Sequence, residues 1–518
     1  MRLVTDALDR AVASTPDKVV LVCDGQRLSY RRLDELANRL ANTLAAHSVD
    51  RGDRVVLWGP NSVELVVGIF AVLKLGAVIV LANDSAKPTQ LAYLVADCAA
   101  KAILATGRQS VAVVPLLDSQ PTLQVGVVVR AAGPSPWLPH DRLLDYAEAL
   151  ARGDVNPPPR RAIDRDLACL IYTSGSTGAP KGVMSAHHNV VFVVDSITSY
   201  LRNTADDVVL SALPLSFDYG LYQLFMVVAF GGTLVLERSF AFPAEFLLRL
   251  AEERATGVPG VPTMWALLLG MDLTAFDLGS LRYVTNTAAA LPASHIQQLR
   301  RALPGVDVYS MYGLTETKRT LYMPPAALDE RPGSVGIAIP GTEVWLEDEQ
   351  GNRLGSNQVG ELVVRGGHVM LGYWNAPDAT AARFRPGPQP GERVCHSGDL
   401  FTRDDAGFYT FVGRRDDMLK CRGEKVAPKE VEGVLHGLDG VREAAVVGVP
   451  DAVLGQAVVA HVVRRDATLT VDAVLRHCRA RLEDFKVPRT VLFVDELPKT
   501  DNGKVHRAKL AGGSAERS

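Results

Sequence analysis

LIYTSGSTGAPKGV, residues Leu170 to Val183, is the stretch whose reading decides the fold. Its lead-in, Ala168, Cys169, Leu170 and Ile171, is apolar and predicts a buried strand. Thr173, Ser174, Gly175, Ser176, Thr177 and Gly178 follow, then Pro180, Lys181 and Gly182. Glycines free the backbone to curl and turn its N–H groups toward an anion. The hydroxyl side chains add donors, and Lys181 adds a charge that can follow a phosphate. A Walker A loop needs its second glycine directly before Lys-Ser/Thr. Here Pro180 precedes the lysine and Gly182 follows it, so that pattern fails. A flexible surface loop would explain the glycines but not the density of donors.

A chain of 518 residues is too long for one hydrophobic core and predicts at least two domains. Its 47% hydrophobic and 22% charged content is that of a soluble globular protein. A formal net charge of -3 gives no electrostatic footprint for nucleic acid. Cys23, Cys98, Cys169, Cys395, Cys421 and Cys478 include no CxxC pair, which argues against structural zinc or a disulfide framework and suits a reducing cytoplasm. The N-terminus, MRLVTDALDR, lacks an apolar signal-peptide core. Leu65 to Ala82 is membrane-like in composition, but Lys74 and Gly76 divide it into a helix from Ser62 to Lys74 and a short strand.

Along the chain, helical periodicity alternates with short β-branched runs, which predicts an α/β sheet covered by helices. Ser29 stands where a helix cap belongs, ahead of the stripe Leu33, Leu36, Ala37, Leu40, Ala41 and Leu44. Apolar runs end at SFDYGLYQLF (Ser216 to Phe225), TNTAAALP (Thr285 to Pro292) and MYGLTET (Met311 to Thr317). Ligands collect beyond the carboxyl ends of strands in open α/β sheets, so these loops are expected to share a cleft. HSGDL, His396 to Leu400, is expected between two strands of a smaller β-rich section. GRRDD, Gly413 to Asp417, has no apolar face, and an independent α+β unit follows. The expected architecture is a large multi-sheet α/β domain over residues 1–415 and a small mobile α+β domain over 416–518.

The opening loop resembles the phosphate loop of the AMP-forming acyl-adenylating superfamily, which includes acyl-CoA synthetases, luciferases and peptide-synthetase adenylation domains. Later motifs resemble that superfamily in order and spacing over nearly the whole chain. The resemblance implies an acyl-adenylate made from ATP and an acid, followed by transfer to a thiol. In YGLTE it implies that Tyr312 lies at the nucleotide, that Thr315 meets phosphate and that Glu316 helps hold Mg2+. It gives Asp399 the ribose hydroxyls, Arg414 a ribose or phosphate contact and Asp416 the hinge. In PKTDNGKVHR it makes Lys504 the adenylation lysine, and after the hinge it gives Lys420 and Gly423 the thiol-transfer face. The chemistry agrees: a carboxylate approaching a phosphate needs fixed cations and donors where charge grows. It needs no general base, being ionised near neutral pH. His187, His188 and His396 have no ligand spacing partners and stay unassigned.

The acid is read from Asp218, Tyr219, Tyr222 and Ala288. The first resembles the aspartate with which amino-acid-activating members pair the substrate ammonium. A lone buried carboxylate demands a cation, and the tyrosines suggest a compact side chain. FDYGLYQ is similar to free-standing ligases that load L-proline onto a carrier protein. RGEKVAPKEVE, Arg422 to Glu432, looks more like acyl-CoA synthetases, and Ala288-Ala289-Ala290 departs from the more glycine- and proline-rich family form. Three expectations follow. The first is an amino-acid ligase serving a phosphopantetheinyl carrier protein in trans. The second is a CoA ligase for a small aryl or aliphatic acid. The third is a nucleotide-binding regulator without turnover.

Overall fold

The structure, a computed structural model, describes residues 2–130, 139–173, 180–289, 291–421, 424–451, 454–465, 467–499, 505–507 and 509–511. Ser29 caps the helix Tyr30–Ala46 by accepting from the Arg32 N–H, and the predicted stripe from Leu33 to Leu44 is buried. Ser62 caps Val63–Lys74 in the same way through the Leu65 N–H. That helix is buried on nearly every face, which explains its membrane-like composition. Lys74 at its end pairs with Asp34 at 2.7 Å. No described helix is long and apolar enough to cross a membrane.

Three sheets organise the described residues. The seven-stranded sheet is parallel except at its edge, where Leu167–Thr173 pairs antiparallel with Lys181–Ala186. The two ends of the phosphate loop are thus clamped, with Thr173 opposite Lys181. The fourteen-stranded sheet changes character along its length. Val208–Ser211, Gly257–Gly260, Tyr283–Asn286 and Asp307–Tyr312 run parallel as neighbours. From Leu321–Tyr322 the sheet continues antiparallel to Tyr409–Arg414, Arg393–Arg403 and Gly360–Gly366. The parallel register brings the loops after Ser211, Asn286 and Tyr312 to one edge, as their sequence positions predict.

The last strand of the large sheet ends at Arg414, and the five-stranded sheet begins at Leu419–Cys421. Its hairpin, Val441–Asp451 with Gly455–Arg464, packs with the helices Pro428–His436 and Val471–Arg479 around Val431, Val446, Val458 and Val474. Two elements differ from expectation. HSGDL lies inside the long strand Arg393–Arg403, where Gly398 at φ +69° accompanies a break in register. Asp218 is the first residue of the helix Asp218–Phe230 instead of a loop residue.

Candidate active site

The cleft is built around the loop 313–320, which joins Asp307–Tyr312 to Leu321–Tyr322. The Thr320 N–H returns to the Tyr312 carbonyl at 2.9 Å, and the Thr317 and Thr320 hydroxyls meet at 2.7 Å. A side chain at Gly313 would have its Cβ 1.7 Å from the Lys318 carbonyl oxygen, so only glycine permits this fold-back. Glu316 at the bend accepts from the Tyr373 hydroxyl, and Arg383 Nε stands 3.9 Å from its carboxylate. Burial, then the charge of Glu316, push the Tyr373 phenol upward in pKa, so it remains a donor. Lys181 Nζ lies 5.7 Å from the centre of the Tyr373 ring. Tyr373 is bridged to Val183, and the Trp374 N–H donates to Gly182. One aromatic side chain thus ties the phosphate-loop hairpin to the glutamate.

Asp399 forms the other half. Tyr312 Oη donates to Asp399 Oδ2 at 2.6 Å, and Arg414 Nε donates to Oδ1 at 3.1 Å. The register of their strands sets Asp399 directly opposite Arg414. Burial raises the Asp399 pKa, against the pull of Arg414 and the Tyr312 hydroxyl. Each carboxylate oxygen keeps a further lone pair, enough for a vicinal diol. Behind it, Glu361 accepts from the Gly398 N–H at 2.8 Å and from Arg415 Nη1 at 2.9 Å, so it joins the aspartate's loop to the turn Arg415–Asp417. Asp416 is exposed in that turn.

The acid side is a different kind of surface. Tyr219 and Tyr222 are fully buried, and Asp218 is 7% exposed. Its cation comes from the chain: Lys318 Nζ lies 3.9 Å from Asp218 Oδ2 and 5.6 Å from the centre of the Tyr222 ring. Burial lowers the Lys318 pKa and Asp218 partly offsets it. Arg319 stacks its guanidinium 4.3 Å from the centre of the Tyr219 ring, whose hydroxyl meets Thr285 Oγ1 at 2.5 Å. Ala288 holds a left-handed backbone at φ +74°, beside the Asn286 side chain that donates to Ala289.

Residues 8–374 match the family model of the AMP-binding enzyme, and residues 430–504 match that of the AMP-binding enzyme C-terminal domain. The chain belongs to the AMP-binding enzyme family. It is 31% identical to a long-chain-fatty-acid–CoA ligase of Escherichia coli O157:H7 over 98% of this chain and 93% of that one. It is 34% identical to a feruloyl-CoA synthase of an Amycolatopsis species over 97% of each chain. An anthranilate CoA ligase solved with anthranoyl-AMP superposes with a TM-score of 0.89 at 27% identity, covering 99% of this chain and 98% of that chain. ATP-bound MatB from Rhodopseudomonas palustris gives 0.88 at 29% identity over 99% of each. The AMP-binding enzyme described here is an adenylating acid–thiol ligase that uses ATP.

In this AMP-binding enzyme Lys181 and Glu316 meet through Tyr373, and Tyr312, Asp399 and Arg414 form a second group, with Thr173 at the loop's base and the partly exposed Thr315 beside Glu316. Ser174, Gly175, Ser176, Thr177, Gly178, Gly423 and Lys504 lie outside the described residues, as does the side chain of Lys420 in Leu419–Cys421. Asp218, expected to await a substrate ammonium, has Lys318 Nζ 3.9 Å from its carboxylate. Sequence reasoning missed Lys318 and Arg319, whose signal was two basic residues directly after Glu316-Thr317. It also missed Tyr373, Arg383 and Glu361, which are far away in sequence and carry no local signal.

Proposed function

We propose that the enzyme is an acid–CoA ligase. A carboxylate oxygen of the acid attacks the α-phosphorus of ATP and expels pyrophosphate. The CoA sulfur then attacks the acyl carbon and expels AMP. The observation that carries this reading is whole-length similarity to CoA ligases, across both the large and the small domain. RGEKVAPKEVE supports it, and the internal pairing of Asp218 removes the main support for an amino acid.

In this reading Asp399 takes the ribose hydroxyls and Arg414 orients it. Lys181 and the loop from Thr173 to Gly178 receive the phosphates, and Thr315 donates to the one under attack. Mg2+ fits the chemistry at Glu316. No cluster of three metal-ligating side chains exists among the described residues, and a single carboxylate beside a phosphate site is how magnesium is commonly held. When bound there it offsets charge developing on the phosphates. Tyr373 and Arg383 hold the Glu316 carboxylate from behind. Lys504 offsets charge between carboxylate and α-phosphate in the first half. The second half follows rotation at Asp416, which brings Lys420 and Gly423 to the thiol.

The test is acid-dependent ATP–pyrophosphate exchange across aryl, short aliphatic, long-chain and amino acids including L-proline, followed by acyl transfer to CoA or to a phosphopantetheinylated carrier protein. Exchange with a non-amino acid and AMP release that requires CoA support the proposal. Preference for L-proline with transfer only to the carrier would replace it by the amino-acid ligase. Tight ATP binding with no exchange for any acid would leave a non-catalytic binder.

A further inference from the structure

Asp218, Tyr219 and Tyr222 occupy the first turns of the helix Asp218–Phe230, at spacings that place Asp218 and Tyr222 on one face and Tyr219 beside them. The segment 317–320, Thr-Lys-Arg-Thr, packs on this helix, and all four residues are buried. It turns inward through a left-handed backbone at Lys318, φ +55°, a conformation that strains a lysine. Lys318 is 1% exposed at its side chain, yet its Nζ makes no hydrogen bond, because the Asp218 carboxylate stands 3.9 Å off. Arg319 is 4% exposed, and its Nε has no hydrogen-bond partner. The Tyr222 hydroxyl is buried and has none either.

The charges do not close. Glu316 also faces Lys318, but it accepts a hydrogen bond from the Tyr373 hydroxyl and has a second cation, Arg383, with Nε 3.9 Å away. Three cations, Lys318, Arg319 and Arg383, thus share two carboxylates, Asp218 and Glu316, and Arg319 has no acidic partner among the described residues. Lys318 thus has a counter-charge but no hydrogen bond, and Arg319 has one hydrogen bond, from Nη1 to the Lys318 carbonyl at 3.4 Å, but no counter-charge; incomplete pairing of a buried cation is costly. A chain that spent this energy on packing alone would place apolar residues here. Donors left open on one wall describe instead a site completed by an anion.

We propose that this wall takes an acid with a second anionic group, bound by Arg319 and Lys318 while the reacting carboxylate lies at Thr315. This deepens the proposed ligase function and rests on it. One further negative charge neutralises the wall and supplies an acceptor for Lys318, Arg319 and Tyr222. A bare alkyl chain would leave Lys318 Nζ, Arg319 Nε and the Tyr222 hydroxyl without hydrogen bonds, so the long-chain acids named for its relatives fit poorly. An ammonium would add a further cation. The reacting carboxylate cannot fill both roles once it sits at the α-phosphate.

The test pairs α,ω-dicarboxylates of three to eight carbons, and the three benzenedicarboxylates, with their monocarboxylate counterparts in pyrophosphate exchange. At least one diacid should exceed its counterpart tenfold or more in kcat/KM. Arg319→Met and Lys318→Met should reduce that ratio to within about twofold, chiefly by raising KM for the diacid, and Arg319→Lys should retain part of it. Thermal shift reads the same site without turnover: the preferred diacid should raise Tm in wild type and not in Arg319→Met. Equal or better use of the monocarboxylate, or an unchanged ratio in the variants, overturns the inference. If no acid drives exchange, the ligase reading falls, and the thermal-shift pairs still decide whether the wall binds a second anion. Should a methionine variant fail to fold, Arg319→Lys carries the comparison.

Discussion

Glu361 accepts from the Gly398 N–H and from Arg415, with His396 Nδ1 at 3.7 Å. Burial alone would raise its pKa, but His396, the Gly398 N–H and Arg415 outweigh burial and hold it at about 2, below an unfolded value of 4.5. Because the folded value is the lower one, the stabilisation is complete above pH 4.5 and is lost as the pH falls toward 2. Between pH 6 and pH 3 this residue should cost the wild type about 2 kcal/mol. Urea unfolding of Glu361→Gln should therefore show a shallower acid limb by that amount, and parallel curves would rule the assignment out. In the nucleotide cleft, Tyr373→Phe removes the hydroxyl that holds Glu316, and pyrophosphate exchange should fall about tenfold, the equivalent of about 1.4 kcal/mol. An unchanged rate would mean that Glu316 is positioned without it. Lys504→Ala should cost the first half-reaction about 3–4 kcal/mol of barrier. Supplied acyl-adenylate should still pass to the thiol, and near-normal exchange would remove Lys504 from the mechanism. Of Glu361, Tyr373 and Lys504, only Lys504 sits in a motif that the sequence singles out. Glu361 and Tyr373 do not, because strand pairing brings them to the cleft from outside its motifs.

At the scale of elements, the loop 313–320 carries Thr315 and Glu316, proposed for the nucleotide, and Lys318 and Arg319, proposed for the acid, on opposite ends of one tight turn. Glu316 faces Tyr373, while Lys318 and Arg319 turn back toward Asp218 and Tyr219. Gly313 makes this possible, since its missing Cβ is the space that the Lys318 carbonyl fills. Gly313→Ala should destabilise the fold by about 2–3 kcal/mol and lose exchange with any acid, measured by thermal unfolding and the exchange assay together. Normal values in both would show that the turn has another route. Periodicity and caps made the helices Tyr30–Ala46 and Val63–Lys74 legible, because each shows its solvent or core face in its own sequence. HSGDL, expected between two strands, lies instead within one, because Gly398 breaks register inside a continuous strand. The helix beginning at Asp218 was read as a loop because three polar or aromatic residues mask its start. What that helix packs against is settled by a loop about one hundred residues downstream, which no local pattern encodes.

Across the whole molecule, the turn between the large unit and the small one has an uneven distribution of anchors. Arg415 is tied to Glu361 at 2.9 Å, within the large antiparallel section. Asp417 is tied to Arg507 at 3.2 Å, and Arg507 in turn holds the buried Glu432 of the helix Pro428–His436 at 2.7 Å. Asp416 stands between one residue bound to the large unit and one bound to the small, and its own side chain is exposed. In the proposed rotation, keeping both anchors would place the backbone change in the turn Arg415–Asp417, with Asp416 at its centre. Proline there fixes φ and restricts the preceding residue as well. Asp416→Pro should therefore retain pyrophosphate exchange, which needs only the adenylating arrangement. Thioester formation should slow at least about tenfold, about 1.4 kcal/mol of added barrier. Single-turnover transfer from preformed acyl-adenylate separates the two halves. If Asp416→Pro slows both halves equally while its thermal stability is normal, the pivot lies at another residue. If Arg415→Gln, which frees one anchor, speeds transfer relative to exchange, the Glu361 contact is part of what restrains the turn.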